Sequence, residues 1–290
     1  MTTALVTGAA GLLGRATVDA LADDGVEVHA LVRRADQGHR ADVAWHEIDL
    51  AAPIDSAALP GRIDAVLHLA QAREFRDFPA SALTTFGINV VSTAMLLDWA
   101  LRAGAANFVY ASSGGVYRPQ PGVALTEDAP LHEPAKAGHY IGTKLASEAI
   151  VGAYAGQFST AILRYFFIYG PGQERSMLIP RLYDRVARGE AISLQGESGM
   201  RINPVHARDA AAATAAAARL AQSVTANIAG PEVVSLRDIG ERFAADLGVE
   251  PVFEQADGTP GDLLAATEVM SDLLAAPRIA LADALADIRG

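Results

Sequence analysis

Tyr140 stands four residues before Lys144 in the stretch HYIGTKLASE, residues 139–148. On a helix that spacing puts a phenol and an ammonium on one surface stripe. A tyrosine near its ordinary pKa of about 10 is a poor base at neutral pH, but a neighbouring cation favours the phenolate and makes the pair a proton-transfer device. A second stretch, TALVTGAAGLLGR, reads as a strand, a glycine-rich turn and a helix start. Gly8, Gly11 and Gly14 allow a tight turn, a close approach to a pyrophosphate and close packing of helix on strand, while the helix N-terminus adds N–H donors and a positive dipole. That pattern predicts a dinucleotide cofactor. Where the second strand ends, an acid would hold the ribose 2′-hydroxyl of NAD and an arginine the 2′-phosphate of NADP. VEVHALVRR ends in Arg33 and Arg34, so the expected cofactor is NADP, with NAD as the alternative.

These residues need a frame. The runs TALVT, VEVHALV, AWHEI, IDAVLHLA, ANFVYAS and STAILRY are short and β-rich, and helix-like segments at 12–24, 81–103 and 139–156 lie between several of them. Apolar strands separated by helices predict a parallel sheet covered on both faces, a doubly wound α/β (Rossmann) domain. After YGPGQ the spacing changes, with helices near 177–188, 207–221 and 235–247 and only short strands. The expected division is a dinucleotide-binding domain over residues 1–168, to which 204–230 returns. A smaller C-terminal substrate lobe, 169–203 with 231–290, would close over the sheet's C-terminal edge, where ligands of such folds bind.

The composition narrows the partners. Twenty-three Lys and Arg against 34 Asp and Glu give a formal charge of −11, which argues against nucleic acid or an anionic membrane as a partner. Any anionic ligand needs a local site. There is no cysteine, which closes thiolate and cysteine-metal chemistry. The apolar N-terminus lacks the basic region of a signal peptide, and no apolar run reaches the roughly 18 residues of a membrane span, so a cytoplasmic location is expected. His68, His132, His139 and His206 show no paired ligand spacing, and no metal site is expected.

The glycine spacing TGxxGxxG resembles the loop of the extended short-chain dehydrogenase/reductase family, which includes the NAD-dependent epimerases and dehydratases. The resemblance continues along most of the chain, through IDL, HLA, YASSGGVY, YIGTK and LRYFFIYGPGQ in order. It implies cofactor contacts from Gly8, Gly11, Leu12, Leu13 and Gly14, from Asp49 and Leu50 in IDL, from Leu69 and Ala70 in HLA, and from Asn89. Tyr140 would be the general acid/base and Lys144 the group that holds the nicotinamide ribose and depresses the tyrosine pKa. Ser113 would hydrogen-bond the reacting oxygen, with Ser112 the second choice.

The chain also departs from this family. Nucleotide-sugar members carry an Asn after the RYF strand and an Arg in RPGD that touch the diphosphate; here the matching residues are Phe167 and Thr259. Arg201 in GMRINP does resemble a phosphate-contacting arginine. Gly114 and Gly115 stand where sugar dehydratases place an Asp-Glu pair, which disfavours dehydration. The leading expectation is therefore an oxidoreductase moving hydride at a secondary alcohol or ketone of a sugar-like substrate. The alternatives are a nucleotide-sugar epimerase using the same residues and a non-catalytic dinucleotide-sensing scaffold. Family members often dimerise through helices matching 81–103 and 139–156, so a homodimer is possible.

Overall fold

The structure is a computed structural model that describes residues 1–289. Seven parallel strands form its central sheet: β1 (Thr3–Thr7), β2 (Glu27–Val32), β3 (Ala44–Glu47), β4 (Ala65–His68), β5 (Asn107–Ser113), β7 (Ser159–Tyr165) and β10 (Val224–Ile228). Their order is β10-β7-β5-β4-β1-β2-β3. The chain builds outward from β1 in one direction and then restarts at β4 in the other. The C-terminal ends of β1 and β4 therefore flank a switch point, the place where open parallel sheets leave a ligand crevice.

Successive residues of a strand face opposite sides, and the two cores show it. Ala4 and Val6 join one buried cluster, whereas Leu5 joins the other. Helices α1 (Leu12–Asp23) and α6 (Ala207–Ala217) cover the first face; the alanines of α6, among them Ala210, Ala213 and Ala217, let it lie close. The opposite face carries α3 (Ser92–Arg102) and α4 (Gly138–Ala153), which bury Leu96, Leu97, Trp99 and Val151 against Phe108 and Tyr110.

The single long helix expected over 81–103 is broken into α2 (Ala82–Phe86), a wide π turn at Gly87–Val91, and α3. Hydroxyls claim the carbonyls there: Thr93 Oγ1 and Ser147 Oγ both donate to the Asn89 carbonyl, at 2.6 and 2.8 Å. Inserted side-chain donors of this kind open a helical ladder. This stretch leaves Leu83, Phe86 and Val91 exposed.

β10 returns to the sheet edge beside β7. The lobe is made of α5 (Leu178–Ala187), α7 (Leu236–Leu247), the parallel pair β8 (Ile192–Gln195) with β12 (Phe253–Ala256), and the short antiparallel pair β9 (Arg201–Ile202) with β11 (Val234–Ser235). Ile179, Leu182, Ile239 and Phe243 fill its own core. A further small pair, β6 (Ala124–Leu125) with β13 (Leu264–Ala265), lies where lobe and sheet meet. Phe167 packs against both the lobe core and this junction. Two short helices, α8 (Glu268–Leu273) and α9 (Ala286–Arg289), complete the described chain.

Candidate active site

Helix α4 lies against the end of β5 and delivers its polar stripe there. Lys144 is 2% exposed, and its Nζ donates to the Ala111 carbonyl at 2.8 Å. The same nitrogen sits 5.2 Å from the centre of the Tyr110 ring and 5.9 Å from that of Tyr140. Burial draws the ammonium down to about 7, opposed by the negative charge of Glu148. An ammonium has three donors. With one committed to Ala111, the others suit the hydroxyls of a ribose.

Tyr140 is pushed up to about 12 by burial, with Ser113 and the Arg76 guanidinium pulling the other way. Its hydroxyl donates to Gln71 Oε1 at 3.0 Å, and its ring packs on Phe75 with centroids 4.4 Å apart. In this state the phenol keeps its proton. It becomes a base only when further positive charge enters beside it. Ser113 ends β5 with its Oγ accepting from the Gly115 amide at 3.1 Å, and its hydroxyl lies close enough to Tyr140 to oppose the rise of that phenol.

The glycine loop occupies the switch point. Gly8 has φ +65°, and a Cβ there would come within 2.8 Å of the Ala70 backbone, while a Cβ on Gly14 would lie 2.1 Å from the Gly8 carbonyl. No larger residue fits without moving backbone. Gly11 caps α1 without a side-chain hydrogen bond, so the first amides of the helix remain open to a pyrophosphate. Leu13 and Leu50 are buried, and Leu12, Leu69 and Ala70 half-buried, around this loop and the neighbouring strand ends. Asp49 is exposed at the end of β3, one oxygen accepting from the Ala51 amide at 2.9 Å. This set fits a dinucleotide: a cradle closed to side chains, an open helix terminus and a buried ammonium with spare donors.

A model of the NAD dependent epimerase/dehydratase family matches residues 4–229. The chain belongs to this family. The solved structure of MoeE5 with UDP-glucuronic acid and NAD is 29% identical, with TM-score 0.82, over 99% of this chain and 98% of that one. Among curated proteins, 3-diazoavenalumate denitrifying reductase of a Streptomyces species is 35% identical over 58% of this chain and 57% of its own length. UDP-glucose 4-epimerase of Bacillus subtilis is 29% identical over 57% of this chain and 52% of its own length. The chain thus spans little more than half the length of these curated relatives.

Membership of the epimerase/dehydratase family corrects the expected cofactor. MoeE5 holds NAD both with UDP-glucuronic acid and with UDP-glucose, which overturns NADP. The physical reason is visible at the tip of β2. Arg33 and Arg34 are both exposed, and Arg34 Nε is 3.1 Å from Asp36 Oδ1, so that guanidinium is paired with an acid instead of standing as bare positive charge.

The structure also places the other expected site residues. Ser112 is buried and donates to Glu148 Oε1 at 2.5 Å, away from the cleft, because adjacent strand residues alternate. Asn89 accepts from Ala72 N at 3.0 Å and donates to Thr143 Oγ1 at 2.9 Å. Arg201 lies on β9 in the lobe, with Nε and Nη2 held by Asp262 at 3.1 and 2.6 Å. Phe167 has φ +45°, the left-handed region that Asn enters several-fold more readily than most residues.

Sequence reasoning missed Gln71 and Phe75, which follow the HLA motif and cover Tyr140, and it missed Glu148 with its partner Arg164. The signal for Glu148 was present: it extends the Tyr140–Lys144 stripe by another four residues. Among the described residues no three His, Cys, Asp or Glu come together as a metal site, and no helix is long and apolar enough to cross a membrane.

Lys144 carries a pH-dependent cost. Its pKa lies below the 10.5 of an unperturbed lysine, so between about pH 7 and 10.5 the folded protein binds fewer protons than the unfolded chain. The penalty is therefore full below pH 7 and fades as pH rises towards 10.5. Lys144→Met is expected to raise the melting temperature of the cofactor-free protein by several degrees near pH 6 (roughly 2–4 °C per kcal/mol), and by much less near pH 10; thermal unfolding across pH checks this.

Proposed function

We propose that this chain binds NAD and inverts a secondary alcohol centre, at carbon 4, of a UDP-linked hexose or hexuronic acid. The observation that carries the reading is the convergence of Ser113, Tyr140 and Lys144 beside the glycine cradle, in a chain that superposes over nearly its whole length on MoeE5, a protein seen with NAD and such sugars. Tyr140 Oη would take the proton of the substrate hydroxyl and return it after the centre has turned over. Ser113 would donate to the same oxygen as it gains carbonyl character. Lys144 would hold the cofactor ribose and, by its charge, favour the phenolate. Bound NAD supplies the hydride acceptor and donor.

This reading reverses the order of the two enzyme functions that the sequence offered. Net elimination of water has no support at this site, since Gly114 and Gly115 carry no acid or base. A Cβ at Gly114 would meet the Phe166 ring at 2.7 Å, so the position is closed to a side chain. A reductase that consumes its cofactor is the second reading, favoured by the 35% identity to the Streptomyces reductase.

The two differ in cofactor accounting. The protein with catalytic NAD is expected to interconvert UDP-glucose or UDP-glucuronic acid with the 4-epimer, followed by chromatography, without a net change in nicotinamide absorbance. Tyr140→Phe is expected to lower that rate by ~100- to 10,000-fold while NAD binding persists. Stoichiometric cofactor consumption with a ketone, and no sugar inversion, would support the reductase instead.

Phe167 gives a second prediction. An Asn there would relax a left-handed backbone position and add an amide donor for a diphosphate oxygen. Phe167→Asn is expected to tighten UDP-sugar binding by about tenfold, the scale of one added hydrogen bond to a charged group, as read by calorimetry; weaker binding would place the diphosphate elsewhere.

A further inference from the structure

Beneath the cleft lies a buried ion pair that the proposed chemistry does not use. Glu148 on α4 and Arg164 on β7 have side chains 8% and 7% exposed. Arg164 grips both carboxylate oxygens, Nε to Oε1 at 3.0 Å and Nη2 to Oε2 at 2.7 Å. Its Nη1 donates to Tyr117 Oη at 2.7 Å and to the Glu127 carbonyl at 2.9 Å, and Tyr117 in turn donates to Asn227 Oδ1 at 2.7 Å. Glu148 Oε1 also receives the Ser112 hydroxyl, at 2.5 Å. A single carboxylate thus joins α4 to β5 and β7, one residue away from Ser113 and one helical turn away from Lys144.

We infer that Glu148 is a positioning residue of the active site: clamped by Arg164, it fixes the end of β5 through Ser112 and is the buried negative charge against which Lys144 is set. Lys144 faces Tyr110 and the Ala111 carbonyl on β5, His68 on β4, and Tyr140 and Glu148 on its own helix. Of these groups only Glu148 is a carboxylate, and both its oxygens are held by the Arg164 guanidinium. Burial drives His68 down to about 3, so it stays neutral, and raises both tyrosines. Without the Glu148 carboxylate, Lys144 and Arg164 would be two buried cations with no anion between them, and the lysine is the one able to give up its proton. The inference deepens the proposed function and rests on it for its consequence, a Lys144 kept charged for ribose and phenolate.

The chain contains only two lysines, Lys144 and Lys136, the latter 72% exposed, so each can be followed separately. Protein labelled with carbon-13 at lysine Cε is titrated by NMR, without cofactor or sugar, as wild type and as Glu148→Gln. The glutamine keeps the shape and an acceptor for Arg164 but removes the charge. The Lys144 midpoint is expected to fall by about one pH unit or more, with Lys136 unchanged. Should Glu148→Gln fail to fold, the paired change Glu148→Leu with Arg164→Met removes both charges without leaving one unpaired, a replacement that buried ion pairs often tolerate; a smaller fall in the same direction is expected, because the nearer Glu148 anion goes and the more distant Arg164 cation goes with it. An unmoved Lys144 midpoint in either folded variant overturns the inference. Because neither NAD nor a sugar is present, that failure is distinct from a failure to epimerise UDP-sugars.

Discussion

The burial of one ammonium governs this structure. Lys144 sits inside the protein with a single carbonyl partner, which is costly for a charge taken out of water. Helix α4 must lie close against β5 for that contact to exist, and several polar contacts hold it there. Asn89 ties Thr143 to the π turn, Ser147 donates to the Asn89 carbonyl, and Glu148 is locked by Arg164. Such devices persist where function requires a strained or desolvated group. The burial that penalises Lys144 also raises Tyr140, so both groups are displaced towards their neutral forms.

Much of this was legible in the sequence because the constraints are local and periodic. A parallel strand buried on both faces must be apolar throughout, and all six runs so read became strands. The glycines declare themselves because nothing larger fits beside the Gly8 carbonyl. Tyr140 and Lys144 declare themselves through helical spacing. What stayed hidden depends on direction or on partners distant in sequence. Glu148 as the partner of Ser112 was hidden, because strand alternation turns Ser112 away from its neighbour Ser113 and towards α4. Arg33 and Arg34 looked like a phosphate clamp, but the Asp36 carboxylate folds back onto Arg34. The Glu148–Arg164 pair spans 16 residues and two elements, and only the packing of α4 on β7 brings it together.

The lobe meets this frame at a few residues. Phe167 sits at the junction of lobe and sheet with an unfavourable φ, and Arg201 on β9 is paired with Asp262. The chain has Tyr140 and Lys144 four residues apart on α4, whereas Phe167 and Thr259 stand where the family resemblance implies Asn and Arg.

The central claim is that the substrate's carbon-bound hydrogen is taken and given back within one site, with Tyr140 handling only the hydroxyl proton. A UDP-sugar carrying deuterium at carbon 4, incubated with the protein and catalytic NAD through many turnovers, tests it directly. Mass spectrometry of the epimerised product should find the deuterium retained at carbon 4. Loss of the label to solvent, or its transfer into the free nicotinamide pool with a ketone as product, would contradict the account.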